Sequence, residues 1–453
     1  MTQPDTIFAL SSGPGTAGVA VVRLSGPDAI TALSVLTDGN VPQVRRVALR
    51  VLVDPESSIR LDQALVIVFS GPSSFTGEDV VELHLHGGRA VVEGVLSVLG
   101  HMDRLRPADA GEFSRRAFDN GKLDLTEAEG LNDLIHAQTG AQREQALRQM
   151  DGELRSLYDG WRAQLLSHLA HLEADIDFPD EDLPDGVSGA VLPDILGIKE
   201  EISQHIDDGQ RGRMLRDGFR IVILGEPNTG KSTLLNALAR ADVAIVSEEA
   251  GTTRDTIETQ LDLGGFPVRL IDTAGVRDSD GAIEKEGIRR ALTKAQDADL
   301  RLILVRADDW PAVPQSMHRW IDGDALVVAT QKDRVQDSQL FHVEHLAGLR
   351  ARDVVALSAK TGAGLDTLMK KLGQIVTEQM SPRDAPVFTR LRHQQALEAA
   401  VDHLKRFRKN AGHDAVLAAE DVRMAVRSIG SITGRVGVED MLDIVFSDFC
   451  IGK

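Results

Sequence analysis

Eight consecutive residues, Gly225-Glu226-Pro227-Asn228-Thr229-Gly230-Lys231-Ser232, fit the pattern G-x-x-x-x-G-K-[ST]. The apolar run Ile221–Leu224 precedes them and a helical run opening at Thr233 follows, the context in which such a loop closes main-chain N–H groups around phosphates. The helix N-terminus adds partial positive charge. Lys231 can reach the β- and γ-phosphates, and the Ser232 hydroxyl can ligate Mg²⁺. Further stations follow in chain order. Thr252 and Thr253, in a loop led by Gly251, can bring a hydroxyl to the magnesium. Asp272-Thr273-Ala274-Gly275 ends the apolar run Val268–Ile271, so Asp272 can hold a metal-bound water while the Gly275 N–H senses a γ-phosphate. In Thr330-Gln331-Lys332-Asp333, the Asp333 carboxylate can accept both N–H groups of a guanine; Ser358-Ala359-Lys360 ends the last apolar run, at the edge where open α/β sheets bind ligands. A glycine turn with an incidental lysine would explain one station but not the ordered set. The segment reads as a nucleotide-triphosphate switch.

The elements that must position these groups are the apolar runs Arg220–Leu224, Val268–Ile271, Leu300–Val305, Leu326–Ala329 and Val354–Leu357, which alternate with helical patterns. That alternation predicts a parallel sheet covered by helices, a Ras-like P-loop α/β domain, over residues 214–377. Residues 1–120 carry short β-branched runs such as Val19–Val22 and Leu65–Phe69 broken by Gly and Pro, the texture of an α+β domain. Helical spacing begins with Leu125, Ala128, Leu131, Leu134 and Ile135, with Thr126 and Glu129 as a capping pair. The α/β unit is therefore expected as an insertion into a helical domain with halves 121–213 and 378–453. Glu173–Asp185, with seven acids, two prolines and no base, is expected to be a solvated connector.

The chain has 453 residues, enough for roughly three domains at about 150 each. A net charge of -19 and 4% aromatic residues exclude a generic nucleic-acid coat or a base-stacking surface. The single cysteine, Cys450, excludes an intrachain disulfide framework and fits a reducing, cytoplasmic setting. No apolar run reaches membrane-spanning length. Arg390, Arg392, Lys405, Arg406, Arg408 and Lys409 form a basic cluster that can touch phosphates or simply coat a mixed-charge helix.

Together these stations resemble the translation-factor-related small GTPases, whose base site reads N-K-x-D. Thr330 replaces the Asn and Gln331 the Lys, so guanine choice is expected with weaker affinity. Val276, after Asp-Thr-Ala-Gly, cannot orient an attacking water, so hydrolysis must be organised from elsewhere. The ends of the chain add Gly13-Pro14-Gly15, Phe75-Thr76-Gly77-Glu78-Asp79, Gly111-Glu112-Phe113-Ser114-Arg115-Arg116 and the terminal Cys450-Ile451-Gly452-Lys453. With the inserted GTPase, these resemble the MnmE (TrmE) family of tRNA uridine-modifying GTPases over nearly the whole chain.

The resemblance implies a fold and a chemistry. Residues 1–120 would form a folate-binding and dimerisation domain, with contacts to a tetrahydrofolate derivative (5-formyl or 5,10-methylene) from Arg23, Glu82, Lys122 and Lys453. A homodimer would join an FAD- and NADH-using partner, MnmG (GidA), in a heterotetramer. Together they would place an aminomethyl or carboxymethylaminomethyl group on C5 of the tRNA wobble uridine. Hydrolysis would depend on K⁺ held between paired GTPase domains by Asn228, Ser247, Glu249 and Thr252, with Glu284, preferred over Glu286, orienting water. Cys450 is implied near the folate with a role in modification. Two other readings are compatible with the phosphate-binding residues: a GTP-gated RNA-binding switch of ribosome assembly, and a nucleotide-binding scaffold with impaired hydrolysis.

Overall fold

The computed structural model describes residues 5–177, 187–240, 244, 258–272, 295–335, 341–342, 344, 346, 349–381, 386–436, 439–447 and 449–452. The chain divides into two compact units. The first comprises residues 1–132, 149–198 and 399–453, and the second 133–148 and 199–398. Among the described residues no helix is long and apolar enough to cross a membrane.

The first unit is built on a six-stranded sheet of order β3-β4-β5-β2-β1-β6, formed by β1 (Thr6–Leu10), β2 (Ala17–Ser25), β3 (Ala48–Val53), β4 (Arg60–Phe69), β5 (Val80–Gly87) and β6 (Leu105–Pro107). Only β1 and β6 pair in parallel. Side chains alternate along each strand, so the two faces differ. Phe8, Val22, Leu24, Leu83, Leu85, Val66 and Val68 point to one face, where α1 (Ala29–Leu36) and α2 (Arg89–His101) cover them. The opposite face carries Ile7 and Ala9 against Phe113 of α3 (Glu112–Asp119). Further along that face Leu49, Leu65 and Val51 lie open, each more than 40% exposed.

The helix α4 (Leu125–His136) starts where the apolar spacing predicts, but its cap differs from expectation. Asp124 Oδ1 accepts from the Glu127 N–H at 2.8 Å, and Glu127 Oε2 accepts from the Asp124 N–H at 2.7 Å. That reciprocal pair is the capping box, two residues ahead of Thr126 and Glu129, which are buried inside the helix. After α5 (Gly140–Met150) comes α6 (Glu153–Asp177), so the acidic stretch is helical through Asp177, and Glu173 pairs with Arg423 at 2.5 Å. Only its remainder lies outside the described residues. The helix α7 (Val187–Asp217) leads into the second unit.

There β7 (Phe219–Gly225), α8 (Lys231–Ala239), β8 (Glu258–Leu263), β9 (Phe266–Asp272), β10 (Leu300–Arg306), β11 (Ala325–Thr330) and β12 (Asp353–Ala356) form a sheet of order β12-β11-β10-β7-β9-β8. All neighbours are parallel except β8, an antiparallel edge. Ile221, Ile223, Leu302 and Leu304 pack on one face against α8 and α9 (Leu365–Met380), while Val222, Ile303, Val305 and Val327 pack on the other with Trp310 and Ile321. Burial on both faces is why these strands read as unbroken apolar runs. The returning segment is locked onto α7: the Phe388 ring and carbonyl occupy the space that side chains at Gly209 and Gly212 would fill. The chain ends with α10 (Leu391–Asn410), α11 (Ala415–Ile432) and α12 (Glu439–Ser447).

Candidate functional site

Two constellations emerge, one in each unit. In the second unit, β7 lies between β10 and β9, so the connections leave it in opposite directions and open a crevice at its carboxyl end. The Gly225–Ser232 loop occupies that crevice and runs into α8. Lys231 Nζ donates to the carbonyls of Gly225 and Glu226, each at 2.9 Å, which sets the ammonium on the loop itself. Thr229 is buried and closes the turn through the Glu226 carbonyl at 2.8 Å. Ser232 and Thr233 are exposed on the first turn of α8.

The two departures from the expected base motif have a structural role. Thr330 Oγ1, at the end of β11, donates to the Thr229 carbonyl at 2.7 Å, and Gln331 Nε2 donates to the Asn228 carbonyl at 3.0 Å. Successive side chains of one loop thus hold successive carbonyls of the other. Asn228 and Gln331 both adopt left-handed backbone (φ 64° and 58°), a conformation uncommon for residues other than glycine. Asp333 follows in a 3₁₀ turn and is exposed. A hydrogen bond from the buried Ser358 holds its carboxyl below the ordinary range, and the Lys360 charge adds to this. Ala359 and Lys360 continue that loop after β12. The base loop, the Ser358 loop and the phosphate loop therefore form one hydrogen-bonded set. Asp272 ends β9, beside β7. Ser247, Glu249, Thr252, Thr253, Thr273, Ala274, Gly275 and Glu284 lie outside the described residues, as does the Asp272 side chain.

In the first unit, Arg23 and Glu82 are direct cross-strand partners of β2 and β5 on the face away from the helical cover. Arg23 donates through Nε and a terminal nitrogen to Glu82 Oε1 at 3.1 and 3.0 Å, and His84 Nε2 lies 3.3 Å from Glu82 Oε2. The guanidinium carbon also lies 5.6 and 5.8 Å from the ring centroids of Phe75 and Phe113, within cation–π range of both. Nearby in sequence to Arg23 and Phe75, Ser25 Oγ contacts Thr76 Oγ1 and Glu78 Oε2, both at 2.7 Å, and Arg116 donates to Glu78, Glu112 and Asp5. Asn120 binds the Thr76 carbonyl at 2.7 Å, and the exposed Lys122 lies close enough to Gly77 that an added Cβ there would be 3.3 Å from its Cε. Arg23 and Lys122 thus both lie beside Phe75–Gly77, and Glu82 is held on Arg23.

The chain's last residues reach the same sheet. Ile451 forms an antiparallel bridge with Ala110, and the Gly452 carbonyl accepts from Ser11 Oγ at 2.8 Å. Cys450 is exposed between the buried Phe449 and this bridge. Lys453 lies outside the described residues. Sequence spacing missed the bracing role of Thr330 and Gln331 and the contacts of Ser11 and His84. Thr330 and Gln331 could have been suspected, since both substitutions keep a hydrogen-bond donor. The basic cluster is largely neutralised. Arg390 pairs with Asp133 at 2.7 Å, Lys405 with Asp402 at 2.9 Å and Arg406 with Asp421 at 3.2 Å, the features of a mixed-charge helix face.

Residues 6–122 match the family model described as GTP-binding protein TrmE N-terminus, and residues 125–450 match the MnmE helical domain. The chain belongs to the MnmE family of tRNA modification GTPases. Its relatives include the tRNA modification GTPase MnmE of Parvibaculum lavamentivorans, 51% identical over 451 residues, covering 99% of this chain and all of that one. The MnmE of Paramagnetospirillum magneticum is 50% identical with the same coverage. Human mitochondrial 5-taurinomethyluridine-[tRNA] synthase subunit GTPB3 is 46% identical, over 99% of this chain and 93% of the human one. As an MnmE-family GTPase, the chain combines the TrmE N-terminal and helical domains with a P-loop α/β domain.

Proposed function

We propose that this GTPase acts as a homodimer with an FAD-dependent partner of the MnmG type to add an aminomethyl or carboxymethylaminomethyl group to C5 of the tRNA wobble uridine. The observation that carries the reading is the part-exposed Arg23–Glu82 pair beside Phe75, with Lys122 and the Cys450 tail in the same unit. Its chemistry suits a tetrahydrofolate derivative. A ring edge rich in N–H groups wants a carboxylate such as Glu82, the ring faces want aromatic contact, and a polyglutamate tail wants Arg and Lys. The folate would supply the one-carbon unit. Glu82 is held by Arg23 on one oxygen and His84 on the other, so its acceptor geometry is set before a ligand arrives.

In the second unit Lys231, Ser232 and Thr253 would hold the triphosphate and Mg²⁺, and Asp333 would read guanine. Asn228, exposed on the phosphate loop, would join Ser247, Glu249 and Thr252 around K⁺, with Glu284 orienting water. Dimerisation is supported by the open apolar face of the first sheet, where Leu49, Leu65 and Val51 present the kind of surface that soluble monomers rarely leave contiguous. The test is reconstitution of this chain with the FAD-dependent partner, GTP, NADH, the folate and unmodified tRNA, read by nucleoside mass spectrometry. A C5 substituent on the wobble uridine that needs all components is the expected result; tRNA left unmodified by the complete mixture, alongside a working control enzyme, would reject the proposal.

A further inference from the structure

The tail that ends in Cys450-Ile451-Gly452 is seated on the sheet rather than frayed, and the contact that seats it is made by Ser11. Three observations converge. Ser11 follows β1, and its N–H still pairs with the Val21 carbonyl at 2.7 Å, so it continues the strand register. In that register Ala9 opposes Arg23, and Ser11, two residues on, points to the same face as Ala9 and Arg23. Its hydroxyl reaches the Gly452 carbonyl at 2.8 Å across 441 residues of sequence.

The tail is fitted to this position from both sides. Gly452 has φ 95° and is buried, and a Cβ there would lie 2.2 Å from the Leu10 carbonyl oxygen. The bridge from Ile451 to Ala110 fixes the next residue back. Before it, Phe446 and Phe449 are buried with Leu125, Ala128 and Leu442, and their rings are 5.4 Å apart. Gly111 lets the Phe446 carbonyl approach so closely that a Cβ would be 2.4 Å from it. Cys450 is therefore exposed at a defined place, between two anchored neighbours.

We infer that Ser11 is a positioning residue that latches the C-terminal tail onto the sheet face that carries the Arg23–Glu82 pair, as part of the same ligand site. This rests on the folate reading above for the ligand, but the latch itself has a readout that needs no ligand. The experiment compares Ser11→Ala, Ser11→Thr and Gly452→Ala in the full-length protein. Hydrogen–deuterium exchange of the peptide covering Phe446 to Lys453 reports seating, and titration with 5-formyltetrahydrofolate reports the ligand site. Loss of one net hydrogen bond should speed tail exchange about fivefold in Ser11→Ala and weaken folate binding by a similar factor. Gly452→Ala, which cannot occupy the seat, should do more, and Ser11→Thr, which keeps the hydroxyl, should restore both values. The unfolding temperature of Ser11→Ala should fall by only a few degrees, the size of one hydrogen bond, so the protein stays folded in both readouts. Unchanged exchange in Ser11→Ala would overturn the latch. Faster exchange with unchanged folate affinity would overturn its positioning role. A wild-type protein that binds no folate would sink the folate reading, and exchange alone would then judge the latch.

Discussion

The side-chain amide of Gln331 donates to the main-chain carbonyl of Asn228 at 3.0 Å, tying the loop after β11 to the phosphate loop. Both residues hold left-handed backbone, so each is a strained point braced by the other. The lysine expected at Gln331 is replaced by a neutral donor whose bond is directed at the loop that must cradle phosphates.

Removing that donor should loosen the phosphate loop. Gln331→Met, similar in length but unable to donate, is expected to raise the dissociation constant of a fluorescent GDP about fivefold, the size of one net neutral hydrogen bond. Gln331→Lys, which keeps a donor, should bind at least as tightly as wild type. Equal affinities in Gln331→Met and wild type would show that the brace has no bearing on binding.

If Asn228 ligates a monovalent ion, hydrolysis should discriminate between salts. GTP turnover at saturating protein concentration is expected to be about a hundredfold faster in KCl than in NaCl at equal ionic strength, the scale of one precisely placed electrostatic stabiliser. Asn228→Ala should erase the difference. Equal wild-type rates in the two salts would end the potassium reading.

The first unit should be sensitive to acid through Glu112. Burial alone would raise its carboxyl, but hydrogen bonds from Arg106, the Asp109 N–H and Arg116 outweigh that and hold it below the ordinary range. A carboxylate depressed in the folded state contributes stability above its unfolded pKa, and that contribution disappears as pH falls through the folded value. Glu112→Gln should therefore cost about 2 kcal/mol at pH 7, with the gap to wild type closing below about pH 4. Denaturant unfolding across pH would measure it; a gap that stays constant to pH 3 would contradict the ion network.

In the second unit His205 should act in the opposite chemical sense. It is buried edge-on to the Phe388 ring at 5.3 Å, and burial, with the neighbouring His393, pushes its pKa down to about 4. The unfolded chain then binds the proton first, so stability is complete above about pH 6.5 and falls towards pH 4, by about 3 kcal/mol at most. His205→Phe should flatten that slope in calorimetry. A variant that retains the full wild-type slope would place the titrating group elsewhere.

How much of this was legible in the sequence depended on burial. The runs from Arg220, Val268, Leu300, Leu326 and Val354 correspond to β7, β9, β10, β11 and β12 within a residue or two, because strands buried on both faces need uninterrupted apolar side chains. The strand β8, Glu-Thr-Gln-Leu-Asp-Leu, is an edge with one polar side and left no such run. Thr126 and Glu129 fit the capping spacing as well as Asp124 and Glu127 do, and only the folded hydrogen bonds, with Thr126 and Glu129 buried, distinguish the two pairs. The Arg23–Glu82 pair depends on a strand register across 59 residues, and the Ser11–Gly452 contact joins the two ends of the chain. Periodicity within a segment holds no information on either.

The most direct test of the proposed function is the nucleoside composition of tRNA from cells that lack this chain and are complemented with wild type, Lys231→Ala or Arg23→Ala. Loss of the C5-modified wobble uridine in the deletion, restored by wild type and by neither variant, is the predicted result. Modified uridine at wild-type level in the deletion strain would contradict it, and rescue by Arg23→Ala would remove the Arg23–Glu82 pair from the chemistry.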